Sequence, residues 1–304
     1  MKRLFMLCGC LSLYSLTAHA TTTYTWNGGP GGINSMSNPL NWEGGAAPSS
    51  GTDSVIIFPG MSPNTTPNND IAANFLFDSI TFQERYTLTG ESLLVPGLFG
   101  ATITFNTTGS SISNPINISA STAALNINST GTNTLLGGLS GGGVLNVLKG
   151  QLNLGGSSQF TGSVNITASS SANTVLQTTE ANSLGNSSYV PLLVTLTKPF
   201  GVTNSAELIL NNYNQTIGGL AGTEGTTVAL GDATLTLSTQ GSYATPFYGA
   251  LTGSASSSLT LVDNANLALL GDVSGFSGTV SLAAGASLFT NTLGNIDSFI
   301  INGG

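Results

Sequence analysis

The chain has 304 residues, of which only 6% are charged, and its formal net charge is −8. An acidic chain with so few Lys and Arg lacks the cations that bind nucleic-acid phosphates or anionic lipids, so we expect neither as a partner. Hydrophobic residues make up 40% of the chain. That share is large enough to bury a core and too large for a disordered protein.

Residues 1–20 have the three parts of a secretion signal. Two basic residues begin the segment, an apolar run follows, and Ala18-His19-Ala20 has the spacing of a cleavage site. The apolar run is short for a membrane span, and an N-terminal membrane anchor is one alternative. Leu7-Cys8-Gly9-Cys10 resembles a lipobox, so lipidation of Cys10 is a second alternative. The sequence therefore predicts an exported protein.

Cleavage after residue 20 would remove every cysteine and histidine of the chain. Serine or cysteine nucleophiles that need a histidine base are then excluded, as are disulfides and zinc sites built from Cys and His. Calcium is the metal class that remains, at the Gly231-Asp232 and Gly271-Asp272 steps, but isolated pairs of this kind usually form turns. We predict no catalytic residue, no metal site and no cofactor.

Residues 21–60 differ in composition from the rest of the chain and contain both of its tryptophans, Trp26 and Trp42. The first turn of a solenoid exposes an apolar end and an open sheet edge, which large aromatic side chains can cover. We therefore predict an N-terminal capping module. The alternative is a carbohydrate-binding module, in which Trp26 or Trp42 is exposed and stacks on a sugar.

Short strands recur from residue 61 to residue 304, separated by Gly, Asn, Asp and Ser. Apolar residues alternate within the runs, as in Leu125-Asn126-Ile127 and Leu259-Thr260-Leu261. Strands this short must stack on neighbours to be stable, which favours an all-β solenoid. At about 20–25 residues per turn, the region predicts about ten turns. A β-sandwich is the alternative, because its strands alternate in the same way.

Two segments repeat one pattern. Residues 139–166 read LSGGGVLNVLKGQLNLGGSSQFTGSVNI, and residues 251–282 read LTGSASSSLTLVDNANLALLGDVSGFSGTVSL. Each opens on a hydroxyl-glycine step and closes on an aromatic residue, a hydroxyl residue, a glycine and a strand. The pattern resembles the autotransporter-associated β-strand repeat of bacterial autotransporter passengers, and residues 217–237 resemble it in part. The Lys-x-Gly step of that repeat is reduced to Lys149-Gly150 in the first segment and is absent from the second.

The resemblance implies a right-handed parallel β-helix, a secreted or cell-surface location, and a non-enzymatic role in adhesion or surface structure. Its partners would be host or matrix surface molecules, or further copies of the chain. Autotransporters end in a translocator barrel, whereas residues 299–304 still resemble a solenoid, so we expect any outer-membrane translocator downstream or as a separate chain. The alternative is a polysaccharide-active enzyme, a lyase or a glycoside hydrolase, since parallel β-helices also host that class.

Residues 243–248, YATPFY, are predicted to form a side loop that carries three aromatic residues. Tyr243, Phe247 and Tyr248 are therefore candidates for contact with a glycan or another partner, together with Trp26 and Trp42. The interpretation that we favour for this segment is that it packs against the coil.

Overall fold

The computed structural model describes residues 20–29, 33–97, 100–185, 193–238, 245–262, 264–292 and 294–302. The predicted secretion signal up to residue 19, with Cys10, and the candidate contact residue Tyr243 lie outside these ranges. Within them the chain is almost entirely β-strand, with two short 3₁₀ helices, Pro39–Asn41 and Glu43–Gly45. No helix of the described ranges has the length and apolar character needed to cross a membrane.

The strands are short, and most contain two to five residues. In chain order they are β1 (Thr22–Thr25), β2 (Ser54–Phe58), β3 (Asn68–Asn69), β4 (Phe75–Leu76), β5 (Ser79–Phe82), β6 (Thr87–Gly90), β7 (Leu93–Val95), β8 (Ala101–Phe105), β9 (Ser111–Ile112), β10 (Ile116–Ile118), β11 (Ala124–Leu135), β12 (Leu139–Gly141), β13 (Val144–Leu154), β14 (Gln159–Phe160), β15 (Ser163–Thr167), β16 (Thr174–Thr178), β17 (Val194–Thr197), β18 (Ala206–Ile209), β19 (Gln215–Ile217), β20 (Leu220–Gly222), β21 (Thr227–Ala229), β22 (Thr234–Ser238), β23 (Thr245–Phe247), β24 (Ala250–Thr252), β25 (Ser258–Val262), β26 (Asn266–Leu269), β27 (Thr279–Ala283), β28 (Ser287–Thr290) and β29 (Ser298–Asn302).

These strands stack in three columns, and every strand pair among the described residues is parallel. Column one is β1, β2, β5, β8, the first parts of β11 and β13, β15, β17, β20, β23, β26 and β28. Column two is β3, β6, β9, the last parts of β11 and β13, β16, β18, β21 and β24. Column three is β4, β7, β10, β12 and β14, followed by β19, β22, β25, β27 and β29.

Two features join the columns into one coil. The long strands β11 and β13 pass from column one into column two, so these columns form a single 19-stranded sheet. The backbone of Asn182 bridges the two 5-stranded parts of column three: it accepts a hydrogen bond from Ser158 N–H (3.2 Å) and donates one to Asn214 O (3.0 Å).

The architecture is a parallel β-helix of about 10 turns, which confirms the predicted fold class. The β-sandwich alternative is wrong, because a sandwich is built from antiparallel sheets and these columns pair in parallel. Turns of the repeat region range from 19 residues between the paired Asn146 and Asn165 to 32 residues between the paired Thr174 and Ala206. The longest turn exceeds the predicted size because a loop that includes residues 199–205 follows β17.

The core consists of apolar side chains that repeat at the same position in successive turns. In column one, for example, Ile103, Ile127, Val147, Ile166 and Leu196 are consecutive register partners, and all five are fully buried. Each turn buries its inward face on the turns before and after it. The burial of each side chain therefore depends on two neighbours, and the alternating pattern of the sequence follows from this arrangement.

Aromatic side chains fill the core at its N-terminal end. Phe58, Phe82 and Phe105 stack face to face, with ring centroids 5.0 Å and 5.1 Å apart and interplanar angles of 13° and 8°. Trp26 and Trp42 meet edge to face at 5.1 Å, and Trp26 contacts Phe58 in turn. Both tryptophans thus extend the aromatic stack beyond its first phenylalanine, which is the packing expected of a capping module.

A ladder of asparagine amides runs along the outer face of column one. Asn146 Nδ2 donates to Asn126 Oδ1, and Asn165 Nδ2 donates to Asn146 Oδ1, both at 2.9 Å. The ladder lies on strands, because the three residues occupy equivalent outward positions of β11, β13 and β15. It links neighbouring turns without contributing to the apolar core.

Asp70 connects the N-terminal segment to the first turn of the coil through hydrogen bonds. Its carboxylate accepts hydrogen bonds from Ser37 N–H and Ser37 Oγ, both at 2.8 Å, and from Ser35 Oγ. Partial burial by itself would raise the pKa of Asp70, but these hydrogen bonds outweigh it and lower the pKa below 3.8. The ionised carboxylate therefore stabilises the contact between this segment and the coil.

Replacing Asp70 by asparagine is expected to lower the free energy of unfolding by less than about 1 kcal/mol at pH 7, since the site is largely exposed to solvent. Because folding lowers the pKa, the stabilisation is present above pH 4 and is lost as the pH falls through the folded value. Urea unfolding of both chains at pH 7 and at about pH 2 measures this. Glu43→Gln is the control. If the difference in unfolding free energy between wild type and Asp70→Asn were as large at about pH 2 as at pH 7, the prediction would be contradicted.

Candidate functional site: the groove beside Tyr248

Trp26 and Trp42 are buried, with 0% and 1% of their surface exposed. Trp26 Nε1 donates to Asn64 O at 2.9 Å, and Trp42 Nε1 donates to Met36 O at 2.8 Å. The rings and the indole N–H groups of both tryptophans therefore make their contacts inside the protein. The alternative in which either tryptophan is exposed and stacks on a sugar is therefore corrected: neither ring presents a free face.

Phe247 is also buried, as expected if its segment packs against the coil, so the weaker interpretation, in which it contacts a partner, is wrong. It ends β23 and is in register with Gly222 of the preceding turn and Leu269 of the following turn. A Cβ atom on Gly222 would lie 2.6 Å from the ring of Phe247, so that glycine leaves the space that the ring occupies. Residues 245–247 form a strand of column one, which corrects the predicted side loop.

Of the predicted contact residues that the structure describes, Tyr248 is the one at the surface, with 49% of its area exposed. It borders a groove of about 490 Å³, which we call the Tyr248 groove. The groove lies at the corner where column one passes into column two. Its lining consists of Glu224, Gly225, Thr226, Thr227, Tyr248, Gly249, Ala250, Leu270, Gly271 and Asp272.

Three of these residues lie one turn apart along the coil: Glu224, Tyr248 and Asp272 are each separated by 24 residues. Sequence analysis identified Tyr248 as a contact residue but did not connect it with the two acids. The 24-residue interval is within the predicted length of a turn and is the signal that would have grouped them. Their side chains are thus contributed by three successive turns, which fix their relative positions.

The floor of the groove is backbone, because side chains have no room there. A Cβ on Gly271 would lie 1.9 Å from Gly249 O, and a Cβ on Gly249 would lie 2.4 Å from Thr226 Oγ1. Tyr248 N–H donates to Gly222 O at 2.8 Å, which fixes the backbone of the tyrosine. The two glycines thus let successive turns pack closely at the groove, and the backbone hydrogen bond positions the residue that carries the tyrosine ring.

Charged groups lie in the groove and beside it. Asp272 Oδ1 accepts a hydrogen bond from Ser274 N–H at 2.8 Å, and hydrogen bonding from Ser274 lowers the pKa of Asp272 below 3.8. Its carboxylate is therefore ionised at neutral pH. The ammonium group of Lys198 passes over Gly225, with Nζ 3.0 Å from the position a Cβ would take there. A groove that combines an aromatic side chain with carboxylates, close to a lysine ammonium group, is suited to a ligand rich in hydroxyl groups.

Among the described residues, no three or more His, Cys, Asp or Glu side chains group together as metal ligands. The two Gly-Asp steps that were considered for calcium take part in turn contacts. Asp232 accepts a hydrogen bond from Ser254 Oγ, and Asp272 accepts one from Ser274 N–H. The Asp272 contact, with the backbone two residues further on, is the local turn chemistry favoured for such steps, whereas the Asp232 contact is with the next turn of the coil.

Comparisons with protein-family models, with curated proteins and with solved structures found no match for this chain. The resemblance to the autotransporter-associated repeat therefore stays a prediction from residues 139–166 and 251–282.

Proposed function

We propose that the protein is a non-enzymatic β-helical rod, secreted or held at a cell surface, that acts in adhesion or in surface structure. Support comes from the parallel β-helix of about 10 turns and from the repeats that resemble autotransporter passengers. A rod of stacked turns is long relative to its width, so it presents an extended surface to other molecules. Host or matrix surface molecules are the proposed partners.

The observation that carries this proposal is the half-exposed ring of Tyr248 in a groove with Glu224 and Asp272. Tyrosine supplies a large, rigid contact area with a polar tip, which is why it is enriched at binding interfaces. A volume of about 490 Å³ is within the range of small-ligand sites, so the groove can take one or two sugar rings. The proposed ligand is thus a glycan carried by a surface molecule.

Replacing Tyr248 by alanine is expected to weaken glycan binding about tenfold, because the stacking face is lost while the coil is unchanged. Binding of wild type and variant to a glycan panel, and to glycosylated matrix proteins, measures the effect. Tyr213→Ala is the matched control, since Tyr213 is 39% exposed and does not line the groove. Equal loss in both variants, or no binding by the wild type, would contradict the proposal.

The same panel tests the polysaccharide-active alternative, since two carboxylates in one groove are also what a glycoside hydrolase requires. Cleavage of a polysaccharide by the wild type would overturn the non-enzymatic proposal if Glu224→Gln combined with Asp272→Asn abolished it. Binding without cleavage, reduced in Tyr248→Ala, is the result that we expect.

A further inference from the structure

The corner between columns one and two changes in length along the coil. It consists of residues 198–205 after β17, residues 223–226 after β20 and residues 248–249 after β23. The strands on both sides of these corners are register partners in successive turns. Because the strand ends stay aligned, the additional residues of the longest corner extend outward beyond the shortest one. These two corners are separated by two turns, or about 10 Å along the coil.

Phe200 lies at the tip of the longest corner and is fully exposed. Val202 N–H donates to Pro199 O at 3.1 Å, which closes a four-residue turn around Phe200 and Gly201. Gly201 has a φ of 80°, which suits the third position of such a turn. The turn geometry does not require an aromatic side chain at the second position, where proline is common.

Hydrogen bonds to both neighbouring turns hold this corner in place. Lys198 N–H donates to Thr223 Oγ1 of the following turn at 2.8 Å. Asn204 Nδ2 donates to Ser169 O of the preceding turn at 2.9 Å. The corner is therefore fixed near both of its ends, and the backbone structure itself holds the ring of Phe200 out in solvent.

The corner of Phe200 also borders the Tyr248 groove. The side chain of Lys198 packs over Gly225, which lines the groove. One exposed aromatic residue is normal at a protein surface. Phe200 and Tyr248, however, lie on one edge of the coil, on the two sides of the corner that carries Gly225. They therefore offer two aromatic rings to one elongated ligand, and we call them the aromatic pair.

The charges beside the aromatic pair favour an uncharged ligand. Glu224 and Asp272 line the groove, and the ammonium group of Lys198 lies next to it. The whole chain carries a net charge of −8, so an anionic polymer is repelled as it approaches. Hydroxyl groups of a neutral polymer can donate to the ionised carboxylate of Asp272, and hydrogen bonds to a charged acceptor are the stronger kind.

On the basis of the glycan-binding function proposed above, we propose that the ligand is an uncharged linear polysaccharide that runs along the coil and contacts both members of the aromatic pair. Sugar rings have apolar faces that pack on aromatic side chains, and a linear chain repeats that face at regular intervals. A pyranose ring in an extended chain is nearly as long as one strand spacing, so two turns correspond to about two rings. One long chain therefore reaches Phe200 and Tyr248 together, whereas a disaccharide fills the groove alone.

The dependence of affinity on ligand length tests this proposal. Titration calorimetry of the full chain uses cello-oligosaccharides and fully acetylated chito-oligosaccharides of two to six sugar units. In at least one series we expect the six-unit ligand to bind about tenfold more tightly than the disaccharide, because only the longer ligand contacts both rings. Phe200→Ala should bind the disaccharide as wild type does and lose the tenfold gain.

Two further variants separate the aromatic contact from other effects of substitution. Phe200→Trp keeps an aromatic ring and should keep the gain with length. Tyr213→Ala removes an exposed ring that does not line the groove and should change neither affinity. Because Phe200 is fully exposed, its variants keep the fold, and thermal unfolding of each variant checks this.

The possible failures are distinguishable. Equal affinity of wild type for short and long ligands, or a gain that Phe200→Ala retains, would overturn the inference and leave the groove as a glycan site. Binding of neither series, with binding of an anionic glycan such as hyaluronan, would overturn it in the same way. Wild type that binds no glycan at all would contradict the proposed function and this inference together.

Discussion

Replacing Phe82 by alanine is expected to lower the free energy of unfolding by about 4 kcal/mol. Phe82 is fully buried between Phe58 and Phe105, and its ring lies within 5.1 Å of both neighbouring rings. Alanine would leave a cavity between two turns, and the neighbouring rings, including Tyr86 with its centroid 6.1 Å from that of Phe82, are rigid and can fill it only in part. The expected decrease in the free energy of unfolding therefore has two parts. The burial of a phenyl ring away from water is lost, and so are two ring-stacking contacts.

The same substitution at Phe200 is the matched control, since Phe200 is fully exposed in the loop after β17. We expect Phe200→Ala to change stability by less than about 0.5 kcal/mol. Urea unfolding followed by tryptophan fluorescence measures both variants, because Trp26 and Trp42 lie at the same end of the core as Phe82. Similar effects of the two substitutions would mean that the N-terminal aromatic stack does not stabilise the coil.

The solenoid could be predicted because successive strands repeat the same alternation of apolar and polar residues. Leu145 and Val147 alternate with polar residues and are followed by a turn, as are their partners in the next turn. The corner between columns one and two could not be predicted in the same way. β11 runs without interruption through residues 124–135, and its bend is held by Ser129, which donates to Gly131 O and accepts from Asn133 Nδ2. Hydrogen bonds of this kind do not change the alternation of apolar and polar residues, so the sequence pattern does not show where the strand bends.

The candidate site was predicted only in part, for two reasons. β23 contains three residues, too few for the alternation to show which of Phe247 and Tyr248 faces inward. The acids of the groove, Glu224 and Asp272, come from the turns on either side of Tyr248, so their proximity depends on turn length. Turn lengths in this coil vary by more than ten residues, and an interval of 24 residues becomes informative only once the register is known.

Replacing Gly143 by alanine is expected to lower the free energy of unfolding by about 3 kcal/mol. This is the second large effect that the structure predicts. Gly143 lies in the hydroxyl-glycine segment that opens the first repeat. A Cβ there would be 2.3 Å from Ile118 Cγ2 and under 3 Å from the carbonyl oxygens of Ala120 and Ala123. Two of these three contacts are backbone atoms of the preceding turn, and Ala123 O already accepts a hydrogen bond from Val144 N–H. The clash cannot be relieved by a change of rotamer.

The neighbouring glycine supplies the control for Gly143→Ala. A Cβ on Gly142 would meet only Thr161 Oγ1, at 3.7 Å, and its backbone is not in the left-handed region. Gly142→Ala should therefore be neutral, or stabilising by about 0.5 kcal/mol through the unfolded chain. Thermal unfolding of both variants distinguishes two explanations for the repeated glycines: close packing of successive turns, or a general need for the backbone freedom of glycine. If both variants lost stability equally, the repeat would require glycine for backbone freedom; if only Gly143→Ala did, the spacing between turns is what the repeated glycines protect.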